Sequence, residues 1–582
     1  MTTPICAGNG NIRVVDWLAL ELRHHDVDYL FGVDGANIED LYDAAHYRSD
    51  ITAVLAKHEF SAATMADGYS RSGAGLGVVA ATSGGGCLNT VPGLGEAFAS
   101  RVPVLALIGQ APTALDGRGA FQDTSGRNGS LDGEALFSAV SVYCRRVTTP
   151  EDIVAALPEA IEAAKTGGPA VLLLPKDIQQ SELHAMNGVS IAQRAVHTGD
   201  PYPIVQALQR ADGPVTIIAG EQVARDDART ELEQLRSLLR ARVACVPDAK
   251  DVAGTPGMGS SSALGVTGVM GHPSVADAIA DSALCLVVGT RLSVTARAGL
   301  DDALRSTPVL SIGAETPYLP WTHVHTDDLR GSLSRLTKAL SGRGRPALLR
   351  VPDAVRRSEL RPPTHGGPGI RYRDAMTVLD RMLPDGVDVV VDAGNIGASA
   401  IHHLPVRRDG RFIVALGMGG MGYSFGAGIG VAFGRGSDLN SRTVVISGDG
   451  SFFMHGMEIH TALQYGLPVT FLLFDNHAHA MCVTREQQFY GDLYSYNRFG
   501  PSRLGAGLAA MFPTLWSVDV YDIDALPAAL EAALGVDGPS VISIECSADE
   551  IPPFAAFLGN EADAVKKPII ATEEHTYVAA RT

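Results

Sequence analysis

The sequence predicts an α/β protein of three domains, each a doubly wound parallel sheet. Three observations carry this. Short apolar runs without polar alternation, such as 78–81, 102–108, 170–174, 443–447 and 469–475, read as strands buried on both faces. Amphipathic helical stretches such as 14–24 and 154–164 alternate with them, which is the pattern of a parallel sheet covered by helices. At 582 residues, with 64 glycines and 32 prolines, the chain is long enough for three domains joined by many short βα loops.

In chain order, the first domain is expected over 1–185. A linker is expected over 184–198. The middle domain, 199–340, has candidate strands at 214–219, 283–288 and 309–312. A second linker, rich in Gly, Pro and Arg, covers 341–368. The third domain, 369–550, has candidate strands at 388–392, 412–415, 443–447, 469–475 and 540–545. Residues 551–582 form a weakly patterned tail. Internal repeats and low-complexity tracts are absent.

The formal charge is −18, from 64 acidic against 46 basic residues, and argues against nucleic acid and anionic membrane surfaces as partners. An anionic small molecule stays compatible, because local donors decide its capture. The seven cysteines have no C-x-x-C spacing, which points to reduced thiols in a cytoplasmic protein. No basic-then-apolar leader and no run of 18 apolar residues occurs, so a soluble protein is expected.

The stretch 448–476 carries the chemistry. Gly448-Asp449-Gly450-Ser451 follows one candidate strand, and Asp475-Asn476 ends the next. Two oxygen ligands at adjacent strand ends suit a hard cation such as Mg²⁺, which keeps phosphate and water as its other ligands. Glycines let backbone N–H groups approach a diphosphate. A bare Gly-Asp-Gly also serves as a turn; the pairing with Asn476 gives it weight. The pattern resembles the metal–diphosphate motif of thiamine diphosphate (ThDP) enzymes. By that resemblance Asp449, Asn476 and the backbone carbonyl of Ala478 hold the metal.

A second match lies far upstream. Lys57-His58-Glu59 precedes an Ala-rich helix containing Met65-Ala66-Asp67-Gly68-Tyr69. An acid at a helix start is also favoured by the macrodipole alone. ThDP enzymes carry a glutamate here that hydrogen-bonds the cofactor pyrimidine, so the resemblance makes Glu59 the activating residue. Glu59 and Asp449 then serve one cofactor only if two domains meet around it. In these enzymes they do so across a subunit interface, which implies a homodimer or homotetramer.

Further stretches extend the resemblance to acetohydroxyacid synthases. Ser83-Gly84-Gly85-Gly86 occupies a glycine turn, and Gly119-Ala120-Phe121-Gln122 is similar to a segment whose Phe and Gln line the reaction pocket. Gly394 and Asn395 stand at the diphosphate-binding turn. Gly419, Gly420 and Met421 resemble the segment whose methionine bends the cofactor. Gly448, Gly450 and Ser451 complete the cofactor set. Gly265–Gly271 and Gly289-Thr290-Arg291 resemble flavin-contacting segments loosely, which admits FAD in the middle domain.

Several positions depart from that pattern. His477 and His479 replace a Gly-rich segment; both are candidate proton donors, and both suit a solvated loop equally well. Glu486 stands where a tryptophan selects the acceptor, and a carboxylate there disfavours an anionic acceptor. Asp34, Ala36 and Asn37, with Phe121, are expected in the substrate pocket. The loop 32–37 and the run Gly84–Gly86 also resemble benzaldehyde lyase.

The resemblance implies a ThDP- and Mg²⁺-dependent carboligase. It would decarboxylate a 2-keto acid, pyruvate being the simplest, and pass the acyl carbanion to a carbonyl acceptor. Glu59, Gln122, His477 and His479 are its candidate catalytic residues. A simple decarboxylase or aldehyde lyase is the alternative. A flavin oxidoreductase is disfavoured by the lack of a clean G-x-G-x-x-G. A non-catalytic protein of this fold is disfavoured by the joint presence of Glu59, Asp449 and Asn476.

Overall fold

The computed structural model describes residues 12–183, 196–253, 263–344, 346–349, 357–436 and 442–559. Among them stand three six-stranded sheets, parallel throughout. Most of the first linker and residues 560–582 of the tail lie outside the described residues. So does Cys6. The other six cysteines are free thiols. No helix among the described residues is long and apolar enough to cross a membrane.

The first sheet runs Thr52–Leu55, Tyr29–Val33, Gly77–Ala81, Val104–Gln110, Pro169–Pro175, Tyr143–Arg146. The third runs Phe412–Val414, Asp388–Val391, Thr443–Gly448, Val469–Asp475, Ser540–Glu545, Trp516–Val520. Numbered within each sheet, both read 2-1-3-4-6-5, so the two are wound alike although no sequence repeat announces it. The middle sheet reads 3-2-1-4-5-6, from Ala263–Val266 to Thr322–His325. Its winding reverses between Val215–Ala219 and Leu284–Val288, which opens a crevice at their carboxyl ends.

Apolar runs made the central strands legible. Gly77–Ala81, Val104–Gln110 and Val469–Asp475 are buried at every position, as strands covered on both faces must be. A two-stranded antiparallel pair, Ile12–Arg13 with Glu182–Leu183, ties the two ends of the first unit together and was not foreseen.

The first and third units pack helix against helix. Glu59–Ser72 lies along Tyr423–Arg435, and both are buried almost throughout. Small residues permit the approach: a Cβ on Gly68 would collide with the Ala427 carbonyl, and one on Gly430 with that of Met65. Between the helices the Tyr423 hydroxyl reaches the buried carboxylate of Asp67, which Arg71 also holds at 2.7 Å. One core therefore spans both units.

Candidate active site

At the carboxyl ends of the first sheet, polar groups converge on the turn 82–86. Glu59 opens its helix, with His58 as the cap accepting from the Phe60 N–H at 3.1 Å. The Asn89 amide donates to Glu59 Oε2 at 2.9 Å. A Cβ on Gly86 would stand 3.1 Å from Glu59 Oε1, so the glycine leaves that carboxylate room. Asn37 donates from Nδ2 to Ser83 Oγ at 2.7 Å, and the Thr82 hydroxyl donates to Gln122 Oε1 at 3.3 Å. Gln122 adopts φ +59°, a left-handed conformation, and lies over Gly84. Asn37, Glu59 and Gln122 thus share one site. Phe121 is 76% exposed beside it. Asp34 is exposed and bonds its own loop at the Gly35 N–H (2.7 Å), while the Ala36 carbonyl is held by Lys176 at 2.6 Å.

In the third sheet, register builds the other half. Gly448 pairs with Phe474, so Asp449 and Asp475 emerge at one level. Asp449 is fully buried; its Oδ2 accepts from the Ala478 N–H at 3.0 Å, and its Oδ1 has no partner. Asn476 is buried too, its Nδ2 donating to the Tyr372 hydroxyl at 3.3 Å and its Oδ1 left without a partner. Burial, with Asp475 nearby, pushes the Asp449 carboxyl up to about 7. Two orphaned buried oxygens at this turn are what a bound cation would satisfy. Ala478 lies between two ladder bonds, Phe499 N–H to His477 O and His479 N–H to Asn497 O, so that ladder leaves its carbonyl unused.

Around these ligands the loops are tied by carboxylates that the sequence did not single out. Buried Asp392 accepts from the Gly422 N–H (3.1 Å), the Ser424 N–H (3.0 Å), the Ser424 hydroxyl (2.8 Å) and the Ser451 hydroxyl (2.8 Å). Ser451 is therefore committed to Asp392. Glu96 accepts from the N–H groups of Gly417, Met418 and Gly419, which anchors the loop leading to Met421. Gly394, at φ +102°, lets the chain enter helix Asn395–His403. Asn395 is buried with its Oδ1 unpartnered, and its Nδ2 reaches the Glu550 carbonyl at 3.4 Å. The position of Asp392 just past a strand end, like that of Asp449, was the signal available for it. Glu96, Tyr372 and Glu550 had none, because the loops and side chains they hold at this site lie more than 100 residues away.

Two of the candidate side chains are already engaged by other groups. His477 Nδ1 meets Asp475 at 3.0 Å and its Nε2 meets Glu545 at 3.1 Å, in a backbone turned to φ +54°. The Glu486 carboxylate is hydrogen-bonded within the chain. It is buried and accepts from Ser495 Oγ at 2.7 Å and Asn497 Nδ2 at 2.6 Å, bonds that hold it below the usual range. His479 is placed differently. Its Nδ1 is buried, unpartnered and next to Gly450, where the Met421 methyl also lies, and its ring packs edge-on against Phe499 at 4.8 Å.

Comparison with known proteins agrees with this geometry. Three family models match in order: the N-terminal TPP-binding domain of thiamine pyrophosphate enzymes over residues 12–129, their central domain over 203–316, and their C-terminal TPP-binding domain over 392–544. The acetolactate synthase isozyme 2 large subunit of Escherichia coli (strain K12) is 28% identical over 556 residues, covering 92% of this chain and 95% of its own. The acetolactate synthase large subunit of Lactococcus lactis subsp. lactis is 26% identical over 494 residues, covering 82% and 83%. Benzoylformate decarboxylase from Polynucleobacter necessarius superposes with a TM-score of 0.79 at 20% identity, over 93% of this chain and all of its own, a likeness of fold.

Proposed function

Since the chain belongs to the thiamine pyrophosphate enzyme family, and its curated relatives are acetolactate synthases, we propose that it is a ThDP- and Mg²⁺-dependent carboligase. It would decarboxylate a 2-keto acid, pyruvate the simplest, and transfer the acyl carbanion to a carbonyl acceptor, giving an acyloin or acetohydroxyacid. One observation carries this reading: Asp449 Oδ1 and Asn476 Oδ1 are both buried without partners at a glycine turn. That donor set fits Mg²⁺, with the Ala478 carbonyl as third protein ligand.

When bound, ThDP supplies an electron sink for a carbanion formed from the substrate. The chain's own groups have separate tasks. Glu59, steadied by Asn89, holds a proton at the pyrimidine end of the cofactor. Gly394, Asn395, Gly448 and Gly450 line the diphosphate, with Ser451 braced by Asp392. Gly419 and Met421 shape the fold of the cofactor between its rings. Gln122 and His479 orient substrate and hold its protons, while Asp34, Ala36, Asn37 and Phe121 wall the substrate side. Such fixed placement converts binding into rate.

A second copy of the chain completes the site in this reading. Leu88, Phe121, Met418, Phe453 and Met454 are all exposed on segments that carry site residues. Apolar side chains so placed suit a homodimer or homotetramer. The unpaired cysteines suit a cytoplasmic location. FAD is the second cofactor that this reading admits. The crevice of the middle sheet, ≈ 290 Å³, offers Arg101 and Arg291 for phosphate and Glu315 for ribose hydroxyls. A yellow purified protein with flavin absorbance would support FAD; a colourless one that gains none on reconstitution would remove it.

The test is incubation of the purified protein with ThDP, Mg²⁺ and pyruvate, with products identified by mass spectrometry. Acetolactate or acetoin, lost in Glu59→Gln, is expected. Acetaldehyde alone would favour the simple decarboxylase, and no ThDP binding in calorimetry would overturn the reading.

A further inference from the structure

A cavity of ≈ 30 Å³ lies between the middle and third units, apart from the cofactor site. Lys250, His272, Arg357, His402 and His403 line it with Cys245 and apolar side chains, and no carboxylate does. This runs against the composition of a chain with 64 acids and 46 bases. Among the described residues, the carboxylates whose field reaches the cluster include Glu359 and Asp380. Each is already paired, Glu359 with Arg373 at 2.7 Å and Asp380 with Arg407.

His272 shows what the cavity lacks. Its Nδ1 accepts from the Val266 N–H at 3.1 Å, so the neutral ring carries its proton on Nε2. That Nε2 has no partner, although the residue is only 3% exposed. His402, by contrast, is satisfied: Nδ1 donates to the Met270 carbonyl at 2.9 Å and Nε2 accepts from the Leu360 N–H at 3.2 Å. Its ring stacks on His272 with centroids 4.4 Å apart, which fixes the direction of the orphaned donor. Lys250 donates to the carbonyls of Ala400 (3.1 Å), Ile401 (2.6 Å) and Leu404. It caps the C-terminal end of the helix that begins at Asn395.

We propose that this cavity is a site for one small inorganic anion of chloride size. Its ligands are the His272 Nε2–H and the positive charges of Lys250 and of Arg357 at the mouth. A single water needs roughly 10–15 Å³, so the cavity admits one small ion and no organic ligand. A water could also accept the His272 proton; what favours an anion is the positive potential of Lys250, whose N–H donors are spent on carbonyls, and of Arg357 at the exposed mouth, with no carboxylate in the lining. Burial, with Arg357 nearby, pushes Lys250 down to about 7, and an anion in the cavity would hold the lysine charged. The anion would lock the middle unit to the helix whose far end carries Asn395.

Crystals of the full chain soaked in sodium bromide test this directly. An anomalous peak within hydrogen-bond reach of His272 Nε2 is expected, and only ordered water there would overturn the proposal. In solution, melting is compared in chloride and gluconate at equal ionic strength. A saturable rise of several degrees in chloride is expected, lost in Arg357→Ala, an exposed position whose change leaves the core intact. Superposed chloride and gluconate curves for the unmodified protein would overturn it as well.

Discussion

The hydroxyl of Tyr372 stands 3.3 Å from Asn476 Nδ2 and donates its own proton to the Ser547 carbonyl at 3.3 Å. Tyr372 can therefore only accept from Asn476. The amide oxygen is therefore the end left buried without a partner, as is one oxygen of Asp449, which suits the proposed cation site. A neutral amide is a weak ligand if it can flip, and the tyrosine removes that freedom.

Tyr372→Phe should therefore weaken divalent-ion binding by about tenfold or more while leaving the fold intact, since the ring stays buried. Titration with Mn²⁺ followed by electron paramagnetic resonance reads this without turnover. Asp449→Ala serves as the reference: if it abolishes binding and Tyr372→Phe leaves it unchanged, the tyrosine only fills space.

Gly450→Ala sets helix propensity against a clash at the proposed cofactor wall. The position is in the first turn of helix Asp449–His455, where alanine gains about 1 kcal/mol over glycine. A Cβ there would stand 2.5 Å from His479 Nδ1 and 3.3 Å from the Met421 methyl. The His479 ring is backed by Phe499 and has little room to retreat. The clash should outweigh the gain in helix propensity, so a melting temperature below the parent is expected, with ThDP affinity down at least tenfold in calorimetry. Unchanged ThDP affinity would remove Gly450 and His479 from the cofactor wall.

The parts of the fold and site written locally were legible in the sequence. Strands such as Val469–Asp475 are apolar because both faces are covered, and Asp449 and Asn476 stand at strand ends, where a short motif can show them. What escaped depends on partners distant in the chain. Tyr372 meets Asn476 across 104 residues, and Glu96 meets Met418 across 322. Nothing local to either marks the contact. The partners of His477 were hidden for a related reason: the residue type suggests proton transfer, and Glu545 on the neighbouring strand, which claims one ring nitrogen, lies 68 residues on. Glu486 likewise could not be placed until the loop 495–497 folded onto it.

His477→Ala should act on stability more than on chemistry. It removes a strut between Asp475 and Glu545 and leaves buried Asp475 with the Ser502 hydroxyl at 2.8 Å. A loss of about 1–3 kcal/mol is expected for the exposed deficit in hydrogen bonding, read by denaturant unfolding. The ratio of acyloin to aldehyde should stay as in the parent. A changed ratio with unchanged stability would return His477 to the reacting centre.

Glu550 gives the site a pH-dependent stability. Both its oxygens accept from the Tyr372 N–H, at 3.1 and 3.2 Å, yet burial outweighs these bonds and pushes the carboxyl from 4.5 up to about 7. The sign follows from linkage. A group whose folded value is raised favours folding while protonated, so its contribution is whole below pH 4.5 and is lost as the pH rises through 7. Glu550→Gln keeps a neutral side chain at every pH and should abolish that part of the slope. Without metal or cofactor, the variant and parent should be similar near pH 5, with the variant ahead by about 2 kcal/mol near pH 8. That figure lies below the full conversion because the group is not completely enclosed. Urea unfolding across this range is the measurement, and parallel curves for the two proteins would show that Glu550 is already ionised in the fold at pH 5.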